Sequence, residues 1–330
     1  MCALPIIPIP ALLAGDDPAL PYFVRRDLLD EAVAPVETLW ETKTALKLVK
    51  VQQPDGSWRY RGKSYDAETG TNYTLIETYR TVRILVEMLG FHRAHPALQK
   101  AADYLFSCQT AEGDIRGIIG NQYMPYYHGA ILELLIKAGY GDDLRVEKGL
   151  TWLLSMRQDD GGWTIPILTH PFSGKEMYRL TSKKSDPVEP DRSKPFSHNW
   201  TGMVLRAFAA HPKYRKSKEA KAAARLLAGR FFQEDCYSSY RAASYWVRFQ
   251  YPFWWNNLVA ALDTVSRIGL PAENPDVTRG LQWLIDHQEK GGLWRDTYAK
   301  ARARGKEKPA VRSARCWISL AICRIFRRYA

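Results

Sequence analysis

Apolar positions along this chain recur at steps of three and four in two kinds of segment. The first kind is amphipathic. It is seen from Ala97 to Leu105, at Val146, Leu150, Leu153 and Leu154, and at Val277, Leu281, Leu284 and Ile285. Such spacing predicts half-buried helices. The second kind is apolar on most sides: 130–136, 203–208 and 258–262, with Tyr73 to Leu89 and Trp317 to Phe326. A helix apolar all round is covered on all sides. Gly90, Gly139 and Gly269 follow three of these segments, where a helix C-terminus calls for glycine. The two kinds alternate, which predicts an inner and an outer helical layer, and no stretch alternates with period two. The expected class is therefore all-α, with helix pairs stacked into a ring that leaves no exposed ends.

A short signature follows the amphipathic segments. It reads Gln53-Pro-Asp-Gly56-Ser-Trp58, Gln158-Asp-Asp-Gly161-Gly-Trp163 and Gln288-Glu-Lys-Gly-Gly292-Leu-Trp294. Gln109 to Ile115 keeps the glycine without the ring, and Gln233 to Tyr237 keeps an aromatic without the glycine. Recurrence at such intervals marks a repeat architecture. Glycine permits a tight turn, glutamine can bond backbone groups orphaned at a helix end, and tryptophan wedges against the next repeat. Consecutive copies lie 57, 48, 74 and 57 residues apart, and the long interval contains an insertion, 169–195, rich in Pro, Lys, Ser and Asp. One toroid over 1–330 is expected, with 1–20 as an apolar strap broken by Pro5, Pro8 and Pro10.

The 330 residues carry a net charge of +12, with 46% hydrophobic content. That charge suits an anionic membrane surface or a phosphorylated partner. No nucleic-acid module is visible, so no nucleic acid is expected. The five cysteines are scattered, without a C-x-x-C pair, which points to thiols in a reducing cytoplasm. No cofactor or metal is expected, because neither histidine pair nor cysteines offer a full ligand set.

The glutamine, glycine and tryptophan elements resemble the QW repeats of the terpenoid cyclase and protein prenyltransferase superfamily, over nearly the whole chain from about Tyr22. Among its members the chain looks closest to stand-alone single-toroid proteins of unassigned activity. The resemblance implies an (α/α) toroid of five to six helix pairs around an aromatic-lined cavity that receives an isoprenoid-like substrate. The superfamily's chemistry carries over less well. The D-x-D-D acid motif of its proton-initiated cyclases is missing, since Asp159-Asp160 lies in a signature turn and Asp142-Asp143 at a helix start. The prenyltransferase zinc ligands are also incomplete: Glu234-x-Cys236 has no histidine near Arg312 to Trp317.

In a toroid of this kind the starts of the inner helices line the pocket. Those starts supply Tyr73, Tyr127, Trp200, Tyr251, Trp254, Trp255, Arg312 and Trp317 as candidate substrate-binding residues. Stacked aromatics could hold a developing cation by cation–π attraction. His128 and His198 stand at comparable places in successive repeats and are candidate acid/base residues, with Glu68 as a candidate proton donor. The leading reading is thus an isoprenoid-binding or isoprenoid-transforming toroid, cytoplasmic and in peripheral contact with membrane. The alternatives are a non-catalytic scaffold that binds a partner and a polysaccharide-lyase type of toroid, the latter short of paired carboxylates.

Overall fold

In the computed structural model, the structure describes residues 4–15, 17–61, 70–182, 185–237, 240–295 and 309–330. Among them there is no strand, only an isolated bridge between Gln109 and Ile115. The inner helices are α2 (Ala19–Leu28), α4 (Tyr73–Leu89), α6 (Pro125–Leu135), α9 (His198–Ala210), α11 (Leu258–Ile268) and α13 (Pro309–Tyr329). They touch in chain order, α4 to α6 to α9 to α11 to α13, and α2 meets both α13 and α4, so the series closes into a ring. The outer helices are α3 (Lys43–Lys50), α5 (Pro96–Ser107), α7 (Leu144–Ser155), α10 (Lys218–Gly229) and α12 (Pro275–Asp286). Each lies against an inner neighbour, while α1 (Ile9–Leu13) packs where α2 and α13 meet. The all-α class and the two-layer ring follow directly from the pattern of apolar positions. Every residue of α6 is buried, as a helix covered by both layers requires. The insertion forms one further helix, α8 (Gly174–Leu180), opened by a capping box between Ser173 and Glu176.

The repeated signature is a hydrogen-bonded corner. Trp58, Trp163 and Trp294 donate their indole N–H to the carbonyls of Leu48, Leu153 and Leu284, at 2.8, 2.7 and 2.8 Å. Their backbone N–H groups donate to a hydroxyl on the following inner helix: Thr78, Thr201 and Ser319. In the second and last corners the glutamine amide ties the corner to the next segment of the ring, while Gln158 donates to the Asp191 and Lys194 carbonyls of the insertion and Gln233 bonds back to Gly229. Gln109 donates to Gly113 and to Arg145 carbonyls, and Gln288 to Gly292 and to Ile6, which joins the last corner to the N-terminal segment. In the first corner this bridge is made by Gln52, to Gly56 and Ala97, so the expected Gln53 is one residue out of register. In the degraded fourth corner the ring comes from Trp246, whose Nε1 donates to Gln233, and not from Tyr237. Trp246 escapes a linear motif because it arrives thirteen residues after the glutamine.

The corner glycine is obligatory for two reasons. At Gly56 φ is +89°, which disfavours any side chain, and a Cβ would stand 2.1 Å from the Lys100 carbonyl oxygen. The expected C-cap role is also seen at Gly90 and Gly269, both left-handed, whereas Gly139 lies within a π turn, Ile136–Tyr140.

Candidate functional site

The aromatic residues of the inner helix starts do meet, but they meet one another. Tyr126 and Tyr127 open α6, and Trp200 lies in the first turn of α9. Tyr126 packs on Trp200 with ring centroids 4.3 Å apart, and on Tyr127 at 4.5 Å. Trp255 joins Trp200 at 5.9 Å, and Trp254 joins Tyr79 of α4 at 5.1 Å. The residual space beside Trp200, Tyr240, Trp255 and Asn256 is about 10 Å³, at the lower limit for one water. The rings expected to wall an open cavity therefore pack on one another at this point.

The packing is completed by the segment that leads into α11. Arg83 of α4 donates to the carbonyl of Pro252 at 3.0 Å, and Arg206 of α9 donates to those of Phe253 and Trp254 at 3.1 and 3.2 Å. Tyr251 stacks on Trp317 of α13, centroids 5.6 Å apart and planes within 6°. Its hydroxyl lies 3.3 Å from the Glu87 carboxylate of α4. Residues 251–255 thus span the ring from α4 to α9 and α13.

Beneath this segment lies a buried ion network. Glu133 of α6 accepts from Arg206 at 2.6 Å and from Lys137 at 2.7 Å, and Lys137 also reaches Glu87 at 2.6 Å. Burial pushes the Glu133 carboxyl up, but Arg206 and Lys137 together outweigh it and hold it below the usual range. The other buried carboxylates among the described residues are also partnered. Asp114 accepts from Arg116, Asp235 from Ser197 and the Asn199 N–H, and Asp263 from Arg267 and Arg328. Burial raises Asp263, yet the two arginines bring it well below the ordinary carboxylate value. Each accepts hydrogen bonds from neighbouring donors. Glu133 and Asp263, both lowered, are unlike the neutral carboxylic acid that protonates an alkene.

The two candidate histidines contact different corners of the ring. His128 is wholly buried, and its Nδ1 accepts the Ile115 N–H at 3.0 Å while Nε2 stands 3.1 Å from the Gly149 carbonyl. It occupies the place that Thr78, Thr201 and Ser319 hold at the other corners. Burial lowers its pKa to about 4. His198, beneath Trp246 at 4.6 Å, is lowered to about 4 by burial, which outweighs the Asp235 charge. Its Nδ1 is 3.4 Å from Asp235 Oδ2, an oxygen already taken by Ser197 and Asn199. Glu68 falls outside the described residues. Tyr73 stacks on Tyr60 at the rim of a hollow of about 410 Å³ beside Asn72 and Gly117. Arg312 is exposed in the first turn of α13, and Trp317 donates from Nε1 to Asp17 at 2.8 Å.

The larger hollow lies at the opposite face, where the C-terminal ends of α2, α4, α6, α11 and α13 converge. It is a basin of about 700 Å³ bordered by Phe23, Val86 and Phe91 and by a cluster of arginines. Linear inspection missed it because Arg26, Lys137, Arg267, Arg324 and Arg328 come from four distant parts of the chain. Among the described residues, no group of three or more His, Cys, Asp or Glu is placed to hold a metal ion, and no helix is long and apolar enough to cross a membrane.

No protein-family model matches the chain, and no curated protein matches it either. Solved structures with a similar helical layout include a protein from Actinoplanes, 15% identical over 89% of this chain and 87% of that one, with a TM-score of 0.41. Two others are variants of the type II terpene cyclase MstE from Scytonema, each 12% identical over 88% of this chain. The apo form is covered over 81% with a TM-score of 0.44. A complex with its substrate, geranylgeranyl dihydroxybenzoate, is covered over 85% with a TM-score of 0.42.

Proposed function

We propose that this chain is a ligand-binding α/α toroid that performs no proton-initiated cyclisation. The observation that carries the reading is the state of the ring interior. Its space is taken by residues 251–255 and their aromatic neighbours, and its central carboxylate, Glu133, is locked between Arg206 and Lys137. A cyclase acid must be protonated and face substrate, and Glu133 is neither. The test is incubation of the purified protein with geranylgeranyl-bearing substrates, followed by gas chromatography and mass spectrometry. The expected result is unchanged substrate, and a cyclised product that disappears in a Glu133→Gln variant overturns the reading.

One observation favours an isoprenoid-like occupant as the ligand of such a toroid. Trp254 and Trp255 remain half-buried over a floor of buried rings, and Arg80 and Arg83 lie 5.4 and 4.6 Å from the Trp254 ring. A prenyl chain would take the place of the 251–255 segment and bury against the same rings. Titration of tryptophan fluorescence with a soluble prenyl alcohol should then give saturable quenching that Trp254→Ala weakens. Absence of saturation overturns the ligand-binding reading and favours the scaffold alternative, a toroid filled by its own side chains.

A further inference from the structure

The basin at the C-terminal ends of the inner helices shares Lys137 and Glu87 with the central network, and its arginines have no part in the reading above. Six cationic side chains line it against three carboxylates, Asp27, Asp30 and Glu87, with Asp263 bonded behind. Each inner helix leaves about half a negative charge at its C-terminus, so some cations belong there for the fold alone. Helix-end neutralisation requires only a charge near each end. It does not require what is observed, namely five guanidiniums lining one concavity.

That orientation is built from both sides. Arg26 and Arg324 lie over the ring of Phe23, at 4.8 and 5.2 Å from its centroid. Asp27 accepts from Nε and Nη2 of Arg324, and Arg26 donates to the same carboxylate. Arg328 is held through Nε by Ser266 and through Nη2 by Asp263. Arg267 donates to Asp263 through Nε alone, at 2.9 Å, and both of its terminal nitrogens remain. The carboxylates act as struts for guanidiniums that line the basin. Burial holds Arg328 below the usual guanidinium value despite Asp263, whereas neighbouring carboxylates keep Arg267, Arg324 and Lys137 above theirs.

We propose that this basin binds a phosphoryl group, its oxygens taking paired N–H bonds from Arg267, Arg324 and Arg328 with Lys137 at the base. The helix ends absorb most of the surplus positive charge, so long-range attraction is weak and recognition rests on short, forked donor geometry. Arginine forks match phosphoryl oxygens in two-point contact, which a compact ammonium cannot do. A multivalent phosphate is therefore favoured over a simple carboxylate or halide. The phosphoryl group can belong to a small soluble molecule or to a lipid headgroup, since the basin is open to solvent.

The experiment uses the full chain and inorganic pyrophosphate, with binding followed by calorimetry and by ³¹P line broadening at constant ionic strength. Saturable binding is expected, weakened about tenfold or more by Arg267→Lys, since one charged hydrogen-bond pair is lost while the charge stays. Arg328→Lys, on another helix, serves as the second variant should the first fail to fold. A parallel arm measures sedimentation with vesicles containing phosphatidic acid. Binding in either arm that both variants weaken supports the site and identifies its source. No saturation in either arm, or binding indifferent to both variants, overturns it.

Discussion

His128 offers a sharp test, because its sequence position suggests acid/base chemistry and its surroundings dictate a structural role. In His128→Thr the imidazole is replaced by the residue type that accepts the signature N–H at Thr78 and Thr201. The histidine pKa falls from 6.5 to about 4 on burial. Below pH 6.5 the unfolded chain binds a proton that the folded chain refuses, so stability must rise with pH across the window from about 4 to 6.5. At about 1.4 kcal/mol per pH unit, that window corresponds to roughly 3 kcal/mol for this one residue. His198, lowered to about 4 as well, contributes with the same sign. Urea unfolding at half-unit steps between pH 4 and 8 should therefore show the wild type losing up to about two protons' worth of slope, and His128→Thr about one. At pH 8 the variant should be only modestly less stable, with a void beside Gly149 offset in part by the retained Ile115 bond. An unchanged pH slope in the variant would refute the burial argument. A variant of full stability that had lost a measurable activity would instead restore the catalytic reading.

Other outcomes follow from the corners and the central network. Glu133→Leu should cost about 3–5 kcal/mol by leaving Arg206 buried without its ion-pair partner and Lys137 with Glu87 alone, while Glu133→Leu with Arg206→Met should cost less than that single change; denaturant titrations of a double-mutant cycle read this, and simple additivity sinks it. Gly56→Ala should lower stability by more than about 2 kcal/mol, because both the positive φ and the Lys100 carbonyl oppose a side chain; a thermal-shift change near zero would show that the corner relaxes. Gln288→Ala should release the N-terminal segment, since two of its hydrogen bonds hold Ile6; limited proteolysis should then cut before Ile9 faster than in the wild type, at little change in global stability.

Much of the architecture was legible because it is written in local periodicity. The segment from Tyr73 to Leu89 was apolar on most sides, and it is an inner helix with those same bounds. The tryptophan corners were legible for a related reason: their partners lie ten residues back or one helix on, so each copy repeats the same short geometry. Errors came where a partner enters from outside the window. Gln52 and Gln53 are equivalent to a pattern, and only the position of Ala97 selects the former. Trp246 substitutes for a missing ring from a separate turn.

Helix type, layer and corner therefore belong to the chain's own order of residues, because the energy of burying a stripe depends on spacing alone. Whether the ring is open or filled does not. Tyr251 to Trp255 read equally well as a pocket wall or as a plug, and their destination depends on Arg83 and Arg206, which sit far away in sequence on α4 and α9. Charge placement is of the same kind. The excess of arginine is spread along 330 residues, and it becomes a basin at one face because parallel inner helices bring their last turns together. Long-range juxtaposition of this sort leaves no local trace, since no single segment gains anything from it before the ring has closed.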